Sequence, residues 1–138
     1  MTSVRLVLVA TLLLVFPGAC SGPNADSLNG AWVITWPPGK ENADGTENLN
    51  STRNHLTLAA DKLHLTGSYI DNDKSSCPLT GDLAAETKKV TIHIDCAQWK
   101  IDLNGVASSD SHQIKGAFTA LGTSSGDISA GVFTMDPS

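Results

Sequence analysis

The sequence predicts an all-β protein: a single antiparallel up-and-down β-barrel of about eight strands, with a β-sandwich as the alternative. Three observations carry that expectation. Apolar and polar residues alternate in short runs, which is the period of a half-buried strand. Each run is bounded by Gly, Pro, Asn, Asp or Ser, so the turns are short and evenly spaced. No stretch combines a helical period with capping residues. Closure is favoured over an open meander, because a meander leaves two edge strands with unpaired backbone groups and a barrel leaves none.

Taken in order, the first strand places Trp32, Ile34 and Trp36 on one face and Ala31, Val33 and Thr35 on the other. The second sets Leu56 and Leu58 between His55, Thr57 and Ala59. Leu63, Leu65 and Tyr69 mark the third, Leu79 and Leu83 the fourth, and Val90, Ile92, Ile94 and Cys96 the fifth. Trp99, Ile101 and Leu103 follow, then Ile114 and Phe118, then Phe133 and Met135. The polar stretch from Pro37 to Arg53, rich in Asn and Glu, reads as a long loop, and Gly122 to Gly126 as a flexible turn. Asp71-Asn72-Asp73-Lys74-Ser75 has oxygen ligands at alternate positions, as a calcium loop begins. It lacks the sixth-position glycine and the acidic twelfth position and carries Lys74, so a plain turn is the better reading.

With 138 residues, 41% hydrophobic and 17% charged, the chain can bury one core and is too weakly charged to be a disordered polyelectrolyte. Removal of the first nineteen residues leaves eight basic against fourteen acidic residues, a net charge of −6. Nucleic acid is thereby excluded as a partner, since phosphate binding needs a basic face. Residues 1–19 read as a signal peptide: Arg5 at the positive end, an apolar stretch from Leu6 to Phe16, and a small-residue exit. The stretch is about half the roughly 20 residues that span a bilayer. Residues 20–27 are polar and rich in turn formers, a tether, and residues 28–138 are the β-barrel domain.

Pro17-Gly18-Ala19-Cys20 resembles the lipobox of bacterial lipoproteins, with Pro17 where Leu is usual. In that family the cysteine thiol receives a diacylglycerol and becomes the amino terminus. The resemblance covers the first twenty residues and implies lipidation at Cys20, export, and a lipid-anchored place in the cell envelope on the periplasmic or surface side. Simple signal-peptidase cleavage after Ala19 or later is the rival. The chain has three cysteines, and exported proteins seldom leave one thiol free. With Cys20 lipidated, Cys77 and Cys96 remain as a disulfide pair, tying the fourth strand to the end of the fifth and stabilising by roughly 3 kcal/mol.

Leu28-Asn29-Gly30-Ala31-Trp32, Leu65-Thr66-Gly67-Ser68-Tyr69 and Pro78-Leu79-Thr80-Gly81 resemble the opening strands of avidin-like (calycin-type) barrels, over about half the domain. That resemblance implies a barrel and a Tyr69 that points into a ligand cavity. The family's polar residues after the first Trp are replaced by Ile34 and Trp36, and Trp99 stands alone where the family has paired tryptophans. An avidin-like ligand binder is therefore one alternative, without biotin as its implied ligand.

Strand parity sends His55, His64 and His93 to the solvent face, and His112 to a rim. His93 and Asp95 lie two apart on one face, with Asp102 or His64 across the sheet, so an exported enzyme with an outer-face His/Asp site is a second alternative. No metalloprotease helix, nucleophile elbow or phosphate loop is present, and no cofactor or metal is expected. Trp32, Trp36, Tyr69 and Trp99 share the inward parity, as core filler or as the wall of an apolar cavity. The leading expectation is a membrane-anchored, non-catalytic barrel that binds a small apolar ligand or an envelope protein through these four residues.

Overall fold

The computed structural model describes residues 25–37 and 52–138. The predicted signal, Cys20 and residues 38–51 of the long loop lie outside the described residues. Eight strands follow in chain order: β1 (Gly30–Trp36), β2 (Thr52–Asp61), β3 (His64–Ile70), β4 (Ser76–Ala84), β5 (Lys89–Asp95), β6 (Trp99–Ala107), β7 (Ile114–Gly122) and β8 (Ile128–Pro137). Each pairs antiparallel with the next, and β1 pairs with β8, so the sheet is a closed up-and-down barrel. The predicted fold class is the observed one, and the sandwich alternative falls.

Alternation builds the wall. Along β4, Cys77, Leu79, Gly81 and Leu83 are buried while Pro78, Thr80 and Asp82 are exposed, and β5 repeats the pattern with Val90, Ile92 and Ile94 inside. Gly67 of β3 lies so close to the Thr57 carbonyl that a side chain there would collide with backbone, which is why the strand carries glycine at that crossing. The interior is filled by Leu, Ile and Val from β1 to β7, with Trp32 of β1 and Phe133 and Met135 of β8.

The two ends differ. At the end where β1 begins, Ala25–Leu28 forms a single 3₁₀ turn that packs against β2 and inserts the fully buried Leu28. The Trp32 indole nitrogen donates to the Leu28 carbonyl at 2.9 Å, and the Ala60 amide donates to Asn29 Oδ1 at 2.6 Å, so this turn is pinned as a stopper. Ala25 to Ser27, the last three residues of the segment read as tether, thus belong to the turn that carries Leu28 inward. At the opposite end β1, β3, β5 and β7 finish, and the aromatic residues gather.

Two details of the reading change, and the turn reading of Asp71 to Ser75 holds. β2 begins at Thr52, so Thr52 and Arg53 belong to a strand and not to the loop, being paired with Trp36 and Thr35. Leu63 is 45% exposed: it sits in the tight β2–β3 turn beside Lys62, whose φ of 56° reverses the chain, and its carbonyl accepts the Leu83 amide at 2.8 Å. Asp71 to Ser75 is a plain turn, closed by the Asp71 amide on the Ser75 carbonyl at 2.9 Å.

Candidate functional site

Trp36 is the last residue of β1, and its inward parity carries its indole to the end of the barrel opposite the Leu28 stopper. The indole nitrogen donates to Asn54 Oδ1 at 2.9 Å. Asn54 is only 4% exposed, and its amide nitrogen donates to the Ile70 carbonyl at 3.1 Å and to Asn72 Oδ1 at 3.0 Å. One buried amide therefore ties β1, the end of β3 and the following turn together. An unpaired amide at this depth would be costly, so every one of its bonds helps hold Trp36 in place.

Around Trp36 the rings form an angular wall. Phe118 of β7 lies 4.9 Å away at 73°, and Tyr69 of β3 lies 6.5 Å away at 74°, both centroid to centroid and both edge-on. These are the geometries that ring quadrupoles favour. Trp99, the first residue of β6, completes the lining of a cavity of about 230 Å³ whose rim carries Asp71, Asn72 and Ser129. Phe118 also covers Gly131 of β8: a side chain there would meet the ring at 2.9 Å, so glycine makes room for it.

Burial, and after it the negative charge of Asp71, pushes the Tyr69 phenol up to about 12, while its hydrogen bond with Trp36 acts the other way. The Cys77–Cys96 disulfide, with Cα atoms 4.9 Å apart, closes the wall beside it, since Cys77 is the cross-strand partner of Tyr69. The predicted disulfide is thus the observed one. Asp71, Cys77 and Cys96 form the one trio of metal-ligating residue types that comes together among the described residues, and the disulfide leaves it no thiolate to offer.

On the outer face, a shallow groove of about 540 Å³ runs across β3 to β7. His93 Nδ1 meets Asp102 Oδ1 at 2.6 Å and His64 Nδ1 meets Asp82 Oδ1 at 3.1 Å, all four side chains being well exposed. Asp102 does lie across the sheet from His93. Asp95 instead takes a 2.8 Å bond from Lys100, which together with the lysine charge holds its carboxyl below the usual range. His112 is exposed in a turn, 3.6 Å from Asp110, and His55 is exposed on β2.

The sequence matches no protein-family model, no curated protein and no solved structure. The site is therefore read from its own residues. Trp36, Tyr69 and Trp99, placed on the inward face by parity, come together at the cavity. Trp32, the fourth residue of that set, does not line it: it is buried four residues earlier in β1, bonded to Leu28. Asn54 is not singled out by the sequence reading, Phe118 is placed there only as an apolar residue of the seventh strand, and Asp71 and Asn72 only as part of a plain turn. Parity could have found the first two, since Asn54 shares a face with Leu56 and Leu58, and Phe118 with Ile114. No periodicity reaches Asp71 and Asn72, which lie beyond the strand end.

Proposed function

We propose that this protein is a non-catalytic binding barrel, anchored to the cell envelope through a lipid on Cys20, whose open end takes up a small apolar ligand or an apolar group of an envelope protein. The observation that carries the reading is the convergence of Trp36, Tyr69, Trp99 and Phe118 on one cavity, at the end opposite the Leu28 stopper. An eight-stranded barrel is just wide enough to be filled by side chains or to hold one small ligand, and apolar pockets with a few polar rim groups are the usual form of small-ligand sites. Anchoring is supported by cysteine arithmetic: with Cys77 and Cys96 joined, Cys20 is the one thiol left over.

The test is Trp36→Ala in the mature protein, with unfolding midpoint and uptake of an environment-sensitive apolar dye measured together. A Trp that is core alone costs about 3 to 5 kcal/mol on truncation. Loss of dye uptake with a smaller loss of stability is expected here, and strong destabilisation with unchanged uptake would refute binding at this end. For the anchor, Cys20→Ser should release the protein from the membrane fraction and remove the acyl mass from its amino terminus. A wild-type protein without acyl mass would refute that half of the reading.

A second reading has one observation in its favour. The 2.6 Å His93–Asp102 bond fixes one imidazole nitrogen and leaves Nε2 directed elsewhere, the arrangement of a general base. If the outer face is catalytic, His93→Ala abolishes hydrolysis of some ester or amide substrate without altering dye uptake.

A further inference from the structure

The charge around the cavity narrows the kind of molecule it suits. Among the described residues, Asp71 is the one charged side chain in the lining, and no lysine, arginine or histidine joins it there. Its carboxylate is half-buried, accepts the Asn72 amide at 2.8 Å, and takes part in none of the ion pairs among the described residues. The flanking turns add to the same sign, with Asp73 and Asp127 against Lys74. An anionic ligand would meet repulsion at the rim and find no cation among the described lining residues to offset its desolvation.

Aromatic rings set at steep angles to one another, with a carboxylate at the edge, are suited to one class of ligand. The faces of Trp, Tyr and Phe carry negative quadrupole potential and attract a cation that is itself poorly hydrated, and substituted ammonium groups are such cations. Lysine-like primary ammonium ions hold their water too tightly to enter an apolar cavity cheaply. A volume of about 230 Å³ is less than that of a drug-sized pocket and admits one compact group.

Resting on the reading of this cavity as the ligand site, we infer that its ligand is a small organic cation of the substituted-ammonium type, caged by Trp36, Tyr69, Trp99 and Phe118 and neutralised by Asp71. The apolar surface of the ammonium substituents meets the rings. The positive charge faces the carboxylate at the rim, where it also relieves the negative field that Asp71 imposes on the Tyr69 phenol.

Choline and its neutral isostere 3,3-dimethylbutan-1-ol separate charge from shape. The mature full chain is titrated with each, read by calorimetry and by displacement of the apolar dye. Choline should bind about tenfold more tightly than the alcohol, and the preference should shrink as salt rises. Asp71→Asn keeps the shape and the acceptor for the Asn72 amide; it should erase the preference, bringing choline down to the affinity of the alcohol. Equal binding of the two probes, or a preference that survives Asp71→Asn, would overturn the cation assignment and leave an apolar pocket. Failure of both probes and of the dye would overturn the pocket reading itself.

Discussion

Tyr69 is the chain's single tyrosine, so its ionisation can be read without interference from another phenol. Its folded value is raised from 10.0 to about 12, by burial first and the Asp71 charge second. Between those two values the folded protein retains a proton that the unfolded chain has lost. The stability this contributes is therefore complete below pH 10 and declines as pH rises towards 12. Tyrosinate absorbance should show little ionisation of the native protein near pH 10, and an ordinary midpoint near 10 in denaturant. A native midpoint near 10 with the fold intact would mean that the phenol stands in open water. Asn54 acts at the same scale: it is the residue that converts the end of β1 into a fixed wall for that phenol.

Among the elements, the 3₁₀ turn Ala25–Leu28 has an influence out of proportion to its four residues. Leu28 has no exposed surface and closes the barrel where the strands alone would leave an opening. Truncating it to Ala should cost about 2 to 5 kcal/mol, the range for a buried Leu whose cavity cannot collapse. Chemical denaturation checks the value. Dye uptake at the far end should persist, because Trp32 and the aliphatic layers above it separate the stopper from the cavity. Destabilisation below about 0.5 kcal/mol would show that the turn merely rests on the barrel. At the opposite end the Cys77–Cys96 bond has the matching role of holding β4 against the chain just beyond β5.

At the scale of the whole molecule, the barrel is closed by unequal ladders. β6 and β7 are in register from Trp99↔Gly122 to Ala107↔Ile114, whereas β1 meets β8 only from Trp32↔Pro137 to Thr35↔Thr134. Closing the ring brings together the two strands most distant in sequence, and the shorter ladder has fewer bonds to hold them. Hydrogen exchange under native conditions should therefore open the β1–β8 amides ahead of those between β6 and β7. Uniform protection around the ring would contradict this. Trp36 and Ser129 line the cavity from these same two strands, so the weakest part of the wall borders the candidate site.

Local patterning determined by itself that the chain forms short strands, which residues face inward, and where most turns fall, because a period of two is written in neighbouring residues. Cysteine counting likewise paired Cys77 with Cys96, since only two cysteines lie in the domain. Inward parity, though, assigns a face and not a height. Trp32 and Trp36 share a face of β1, yet one is sealed beneath Leu28 and the other lines the cavity, because only closure of the barrel sets which layer a residue occupies. The same limit hid Leu63, whose parity was right but whose place in a tight turn exposes it. Asn54 could be placed on a face but not given partners, since Trp36, Ile70 and Asn72 reach it from other strands and a turn. Asp71 lies outside any strand period, and its place among the aromatic rings comes from the β3–β4 turn folding over the barrel's end. Contacts between residues far apart in sequence leave no trace in local periodicity, and the candidate site is made almost wholly of such contacts.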